Sequence, residues 1–142
     1  MTHLLEVQDL EVGFNGVGVV HKVGFTIEAG EKLALVGESG SGKTVSALSL
    51  LRLVQNAQVR GVARLEGRDL LQLSERELRA VRGDEVAVIF QEPMTSLNPA
   101  FTAGEQVAEA LRLHQRLEAR RTEDLLEIGV GQPRVGDRRL AL

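Results

Sequence analysis

Eight residues, Gly37 to Thr44, with the sequence GESGSGKT, constrain this chain more than any other feature. Glycines stand at both ends of a four-residue gap, and Lys43 and Thr44 follow at once. The apolar stretch EKLALVG before them reads as a strand, and GKTVSALSLLRLV after them reads as a helix burying Val45, Leu48 and Leu51, spaced by three. A glycine-rich turn between strand and helix exposes successive backbone N–H groups, and the helix N-terminus adds partial positive charge. Polyphosphate is the natural ligand for such a loop. Gly37, Gly40 and Gly42 let the backbone come close without Cβ clashes, while Glu38, Ser39 and Ser41 complete the run of amides. Lys43 can reach the β and γ phosphates, and the Thr44 hydroxyl can ligate Mg²⁺. A plain Gly-Ser turn is the alternative, and the flanking strand and helix weigh against it.

Composition narrows the rest. At 142 residues the chain has the length of one domain. It carries four Phe with no Tyr or Trp, and its net charge is -3, so it offers neither stacking platforms nor a basic footprint for nucleic acid. It has no cysteine, hence no disulfide framework or thiolate metal site. His3, His21 and His114 lie far apart without ligand spacing. The first residues lack the apolar core of a signal peptide, and no apolar run approaches the length of a membrane span.

Along the chain the pattern alternates between strand-like and helix-like pieces. LLEVQDLEVGF and VGFTIEAGE read as short strands, and VRGVARLEGRDLL as a hairpin turning near Glu66 and Gly67. SERELRAVRG opens with a capping box, Ser74 and Glu77, and stops at Gly83. EVAVIF is a second apolar strand candidate, and the Pro-punctuated QEPMTSLNPAF follows it as a loop. TAGEQVAEALRLHQRL opens with a second capping box, Thr102 and Glu105. ARRTEDLLEIGV reads as one more helix, with RLEARRTEDLLE as a solvated charged face. The order predicts an α/β core that hands over to a helical segment near Phe101.

From Met1 to about His114 the sequence resembles the ATP-binding subunits of ABC transporters. VGESGSGKTVSALSLLRL matches their Walker A segment, and IFQEPMTSLNPAFTAGEQVAEAL matches their Q-loop segment. QEPMTSLNP followed by TAGEQVAEAL is similar to the oligopeptide, dipeptide and nickel importer group. The resemblance implies an α/β P-loop NTPase fold, the ABC-type nucleotide-binding domain, with residues 1–100 in the core and 101–142 beginning the helical subdomain. It implies ATP and Mg²⁺ as cofactors. It implies a cytoplasmic subunit, peripheral on the inner membrane face, that couples ATP binding and hydrolysis to uptake of peptides or similar small solutes. Its partners in that family are permease subunits, met through the Q-loop region, and a second nucleotide-binding domain in a head-to-tail dimer.

Residue roles follow by position. Phe14 stands where the family places the aromatic that stacks on adenine; a core or rim side chain is the alternative. Gln91 stands where the family places the Q-loop glutamine that approaches Mg²⁺ and the attacking water, and Glu92 to Asn98 resembles the loop facing the coupling helix. The departures matter equally. The sequence contains no LSGGQ signature, no Walker B strand ending in Asp-Glu and no switch His, and Gln91 occupies the place a Walker B Asp would take after EVAVIF. The resemblance therefore implies a truncated domain, the N-terminal part, without independent hydrolysis. Since the Walker B strand lies beside the P-loop strand in the family, EKLALVG is expected to present an open hydrophobic edge. Two rival readings stay open: a non-transport regulatory module on the same P-loop, and a remnant that neither binds nor hydrolyses.

Overall fold

The computed structural model describes residues 3–92, 97–115 and 140–141. Strand β1, Leu5–Phe14, is the organising element. Its apolar residues fall at 5, 7, 10 and 12, a spacing that breaks strict alternation once. The backbone absorbs the extra residue as a bulge: Asp9 takes φ 46 and the register against its neighbour shifts between Gln8 and Glu11. Leu5, Val7, Leu10 and Val12 thereby all reach one buried face. Opposite the bulge, Gly61 sits at φ +108 where a Cβ would lie 2.5 Å from the Asp9 carbonyl oxygen, so a side chain is excluded there.

Strand β2, Val17–Ile27, folds back antiparallel on β1 through Asn15 and Gly16, both left-handed at φ 50 and 83. That is the chemistry of a two-residue hairpin turn, and it starts β2 earlier than the reading of VGFTIEAGE placed it. Strand β3, Gln58–Leu65, pairs antiparallel with the other edge of β1. The short β4, Arg68–Asp69, closes the expected hairpin through Glu66 and Gly67, at φ 46 and 83. The sheet order is β2-β1-β3-β4.

Helix α1, Lys43–Leu50, contacts β1. Its buried residues are Ser46, Ser49 and Leu50, with Leu51 buried just beyond; Val45 and Leu48 are only half buried. The spacing of Val45, Leu48 and Leu51 therefore marks the inner face at Leu51, and in part at Val45, which packs against the core, but not at Leu48. Small hydroxyl residues face inward, and Ser46 satisfies its hydroxyl by donating to the Gly42 carbonyl at 2.9 Å. Helix α2, Glu75–Val81, has the expected capping box and buries Leu78 and Val81. It ends as expected just before Gly83, with its C-cap at Arg82, whose Nε and Nη2 donate to the Leu51 carbonyl at 2.9 and 2.7 Å.

Two expected strands do not form as read. Residues 31–37 make no ladder, and among the described residues no strand lies alongside to supply hydrogen bonds. Leu33, Leu35 and Val36 are left 42%, 40% and 92% exposed. EVAVIF contributes only β5, Val86–Ala87, paired parallel with β6, Leu140–Ala141, while Ile89 and Phe90 are exposed. An apolar core strand owes its extended form to neighbours on both sides, so propensity alone does not hold it. Helix α3, Ala103–Gln115, starts at the second capping box. The helix read over ARRTEDLLEIGV, and the charged face with it, lie outside the described residues. No helix among the described residues is long and apolar enough to cross a membrane.

Candidate functional site

The glycine-rich stretch leads straight into α1, whose first residue is Lys43. Gly40 and Gly42 both adopt left-handed backbone, at φ 80 and 88, and the Ser41 amide closes a turn on the Glu38 carbonyl at 3.2 Å. Gly42 is the N-cap and has no side-chain cap, so the first amides of α1 keep their hydrogen-bonding capacity for something outside the helix. The loop rests on β2. A Cβ at Gly42 would stand 3.1 Å from Val20 Cγ2 and 3.2 Å from the Val19 carbonyl oxygen. Conformation favours glycine there, and the space beside it is tight.

Lys43 turns back into the loop it follows. Its ammonium donates to the Gly37 carbonyl at 2.8 Å, to the Glu38 carbonyl at 2.6 Å and to Ser41 Oγ at 3.2 Å. The charge is thus aimed across the concave side of residues 37–42 and not out into solvent. Thr44 is exposed on the first turn of α1, and its hydroxyl makes no hydrogen bond among the described residues. Ser39 and Glu38 are exposed as well. The arrangement is a glycine-rich turn, a helix N-terminus and one ammonium, with the Thr44 hydroxyl beside them. Such a set can grip an anion of several oxygens, and the free hydroxyl suits a hard cation such as Mg²⁺.

Phe14 is the last residue of β1, paired with Val17 across the hairpin whose Val19 and Val20 carry the loop. Its ring is half buried and packs against the core, which supports the packing alternative for at least part of its surface. Gln91 is exposed at a bend after β5 and makes no hydrogen bond among the described residues. Of the loop Glu92 to Asn98, residues 93–96 fall outside the described set. Its far end is held by Gln106, whose Oε1 accepts from the Asn98 amide at 2.8 Å while Nε2 donates to the Asn98 carbonyl at 3.0 Å. The capping boxes signalled both helix starts, but sequence reasoning missed this tether. A glutamine one turn inside a helix gives no distinctive signal.

A family profile described as ABC transporter matches residues 20–140. The chain is 50% identical over 133 residues to a probable peptide ABC transporter ATP-binding protein of Sinorhizobium fredii, covering 88% of this chain and 40% of that protein. It is 45% identical over 137 residues to a glutathione import ATP-binding protein of Shigella flexneri, covering 88% of this chain and 22% of the relative. An oligopeptide transport ATP-binding protein of Bacillus subtilis is 41% identical over 145 residues, with 94% and 40% covered. The chain thus spans well under half the length of these relatives. Among solved structures, it is similar to an ATP-binding cassette determined as a dimer in a post-hydrolysis state with ADP and phosphate. That likeness has a TM-score of 0.70 at 21% identity, over 95% of this chain and 61% of the other. It supports the fold.

Proposed function

The chain belongs to the ABC transporter family, and we propose from that premise that residues 37–44 grip the phosphates of Mg-ATP within a subunit that energises import of peptides or similar small solutes. The single observation that carries this reading is the Lys43 ammonium, drawn across a loop of left-handed glycines at the start of α1. Lys43 meets the β and γ phosphates, amides of Gly37, Glu38, Ser39, Gly40, Ser41 and Gly42 line the polyphosphate, and Thr44 is the Mg²⁺ ligand. Mg²⁺ supplies charge neutralisation on the phosphate oxygens. Phe14 lends a ring to adenine from the hairpin beside the loop, and Gln91 positions water and Mg²⁺ and signals to the membrane subunits. Residues 1–100 act as the nucleotide-binding core and 101–142 as the start of a helical subdomain. The subunit works as a pair of such domains, at the cytoplasmic face of permease subunits.

The 142 residues hold no LSGGQ segment and no Asp-Glu after an apolar strand. This chain alone is accordingly expected to bind nucleotide without turning it over, because hydrolysis needs a water-positioning carboxylate and a clamp on the transition state. Lys43→Ala tests the binding. Loss of its charge-assisted contacts is worth about 1.5–3 kcal/mol, roughly ten- to a hundredfold in Kd for Mg-ATP by calorimetry. Equal affinities for the two proteins would remove the reading.

A further inference from the structure

A cavity of about 290 Å³ opens on the antiparallel sheet, and Glu11, Gly13, Gly18, His21, Gln58 and Arg60 are among its lining residues, beside the apolar Val12, Val17 and Val20. None of these belongs to residues 37–44. The strand register explains how they meet. Glu11 stands opposite Arg60, and Gly13 stands opposite both Gln58 on β3 and Gly18 on β2. Leu10 and Val12, the neighbours of Glu11 along β1, are buried, so alternation turns Glu11 and Gly13 to the other face of the sheet. The two glycines leave a floor of bare backbone. The His21 ring leans over it, since a Cβ at Gly18 would stand 2.6 Å from His21 Cε1. Val17, 66% exposed, gives the rim an apolar edge.

The polar groups around this floor are unspent. The side chains of Glu11, His21, Gln58 and Arg60 make no hydrogen bond or ion pair among the described residues. Opposite charges directly across a strand pair ordinarily attract one another, yet Glu11 and Arg60 stay apart and both face the cavity. The pair sets the ligand's chemistry. An anion alone meets Glu11, and a cation alone meets Arg60. A ligand with a carboxylate for Arg60 and an ammonium for Glu11 satisfies both, with Gln58 and His21 as further hydrogen-bonding groups. The volume of about 290 Å³ lies just below the range of about 300–1,000 Å³ typical of ligand pockets, which limits the occupant to a single amino acid or a dipeptide.

We propose that this cavity is a binding site for a small zwitterion of the amino-acid class, bound carboxylate to Arg60 and ammonium to Glu11. The test is titration of the chain with L-leucine, followed by the amide resonances of Gly13 and Gly18 in nitrogen-15 correlation spectra. Saturable shifts of these two glycines are expected. N-acetyl-leucine, which lacks the ammonium, and leucinamide, which lacks the carboxylate, are each expected to bind at least tenfold more weakly. Glu11→Gln and Arg60→Gln are expected to weaken leucine by the same factor while leaving the rest of the spectrum in place. Saturating Mg-ATP is expected to leave the leucine titration unchanged, so the result stands or falls apart from the nucleotide reading. No saturation up to about 50 mM, beyond millimolar affinity, overturns the proposal. Equal binding of N-acetyl-leucine, indifference to both substitutions, or competition by Mg-ATP overturns it too.

Discussion

Replacing Arg82 with Met should loosen the helix that presents the phosphate loop. Two guanidinium nitrogens of Arg82 donate to the carbonyl of Leu51, the C-cap of α1, and a third meets Glu75 Oε1 at 2.6 Å. Leu51 is 1% exposed, so its carbonyl has little access to water in compensation. A charge-assisted hydrogen bond of this kind is worth about 1.5–3 kcal/mol, and both donors share one acceptor, so it counts once. A cation at a helix C-terminus adds about 0.3–1 kcal/mol. The Glu75 side chain is 55% exposed, and such a pair contributes at most about 1 kcal/mol. The sum is roughly 2–5 kcal/mol, or a fall in Tm of about 6–17 °C for a domain near this size. Met keeps the apolar stem, so thermal melts followed by circular dichroism isolate the guanidinium. Glu75→Gln should cost less than a third of that fall. A Tm within about 2 °C of the parent for Arg82→Met, or an equal loss for Glu75→Gln, would refute the reasoning, because the capping of α1 would then carry no weight.

Two further outcomes are expected. Hydrogen bonds from the Ser74 side chain and backbone hold the Glu77 carboxyl below the usual carboxylate range. A depressed carboxylate stabilises the fold above its ordinary pKa and loses that contribution as the pH falls through the depressed value, so the Tm difference between Ser74→Ala and parent should shrink on acidification; a constant gap would argue against the capping box as its source. Leu33, Leu35, Val36, Ile89 and Phe90 present exposed apolar surface, so Val36→Lys should raise the monodisperse fraction seen by light scattering, and no change would place the source of any aggregation elsewhere.

How much of this was legible depended on whether the signal was local. Ser74 with Glu77 and Thr102 with Glu105 each specify a helix start within four residues, and both boxes formed. Glu66-Gly67 likewise specifies a turn on its own. The apolar runs EKLALVG and EVAVIF carry no such local instruction, since a parallel core strand exists only through its neighbours. The inner face of α1 was read only in part for a related reason: a helix lying close on a sheet favours small residues, and Ser46 and Ser49 look polar until Gly42 is seen to accept the Ser46 hydroxyl. The bulge at Asp9 was written in the spacing of Leu5, Val7, Leu10 and Val12, but its cause, the vacancy at Gly61, lies across the sheet.

The phosphate loop keeps its form without a ladder beneath it, and its supports bear on how it would meet a ligand. Val19 and Val20 brace Gly42 from one side, and Lys43 draws the carbonyls of Gly37 and Glu38 together from the other. An ammonium has three protons, and the third goes to Ser41 Oγ at 3.2 Å, the longest of the set. On the proposed reading an arriving phosphate competes for that proton first, since a neutral hydroxyl is a weaker acceptor than an anionic oxygen. The two carbonyls then remain as the hinge that aims the charge. Ser41→Ala should therefore leave Mg-ATP binding by calorimetry nearly intact where Lys43→Ala does not, because phosphate oxygens replace the Ser41 hydroxyl as acceptor while nothing replaces the ammonium.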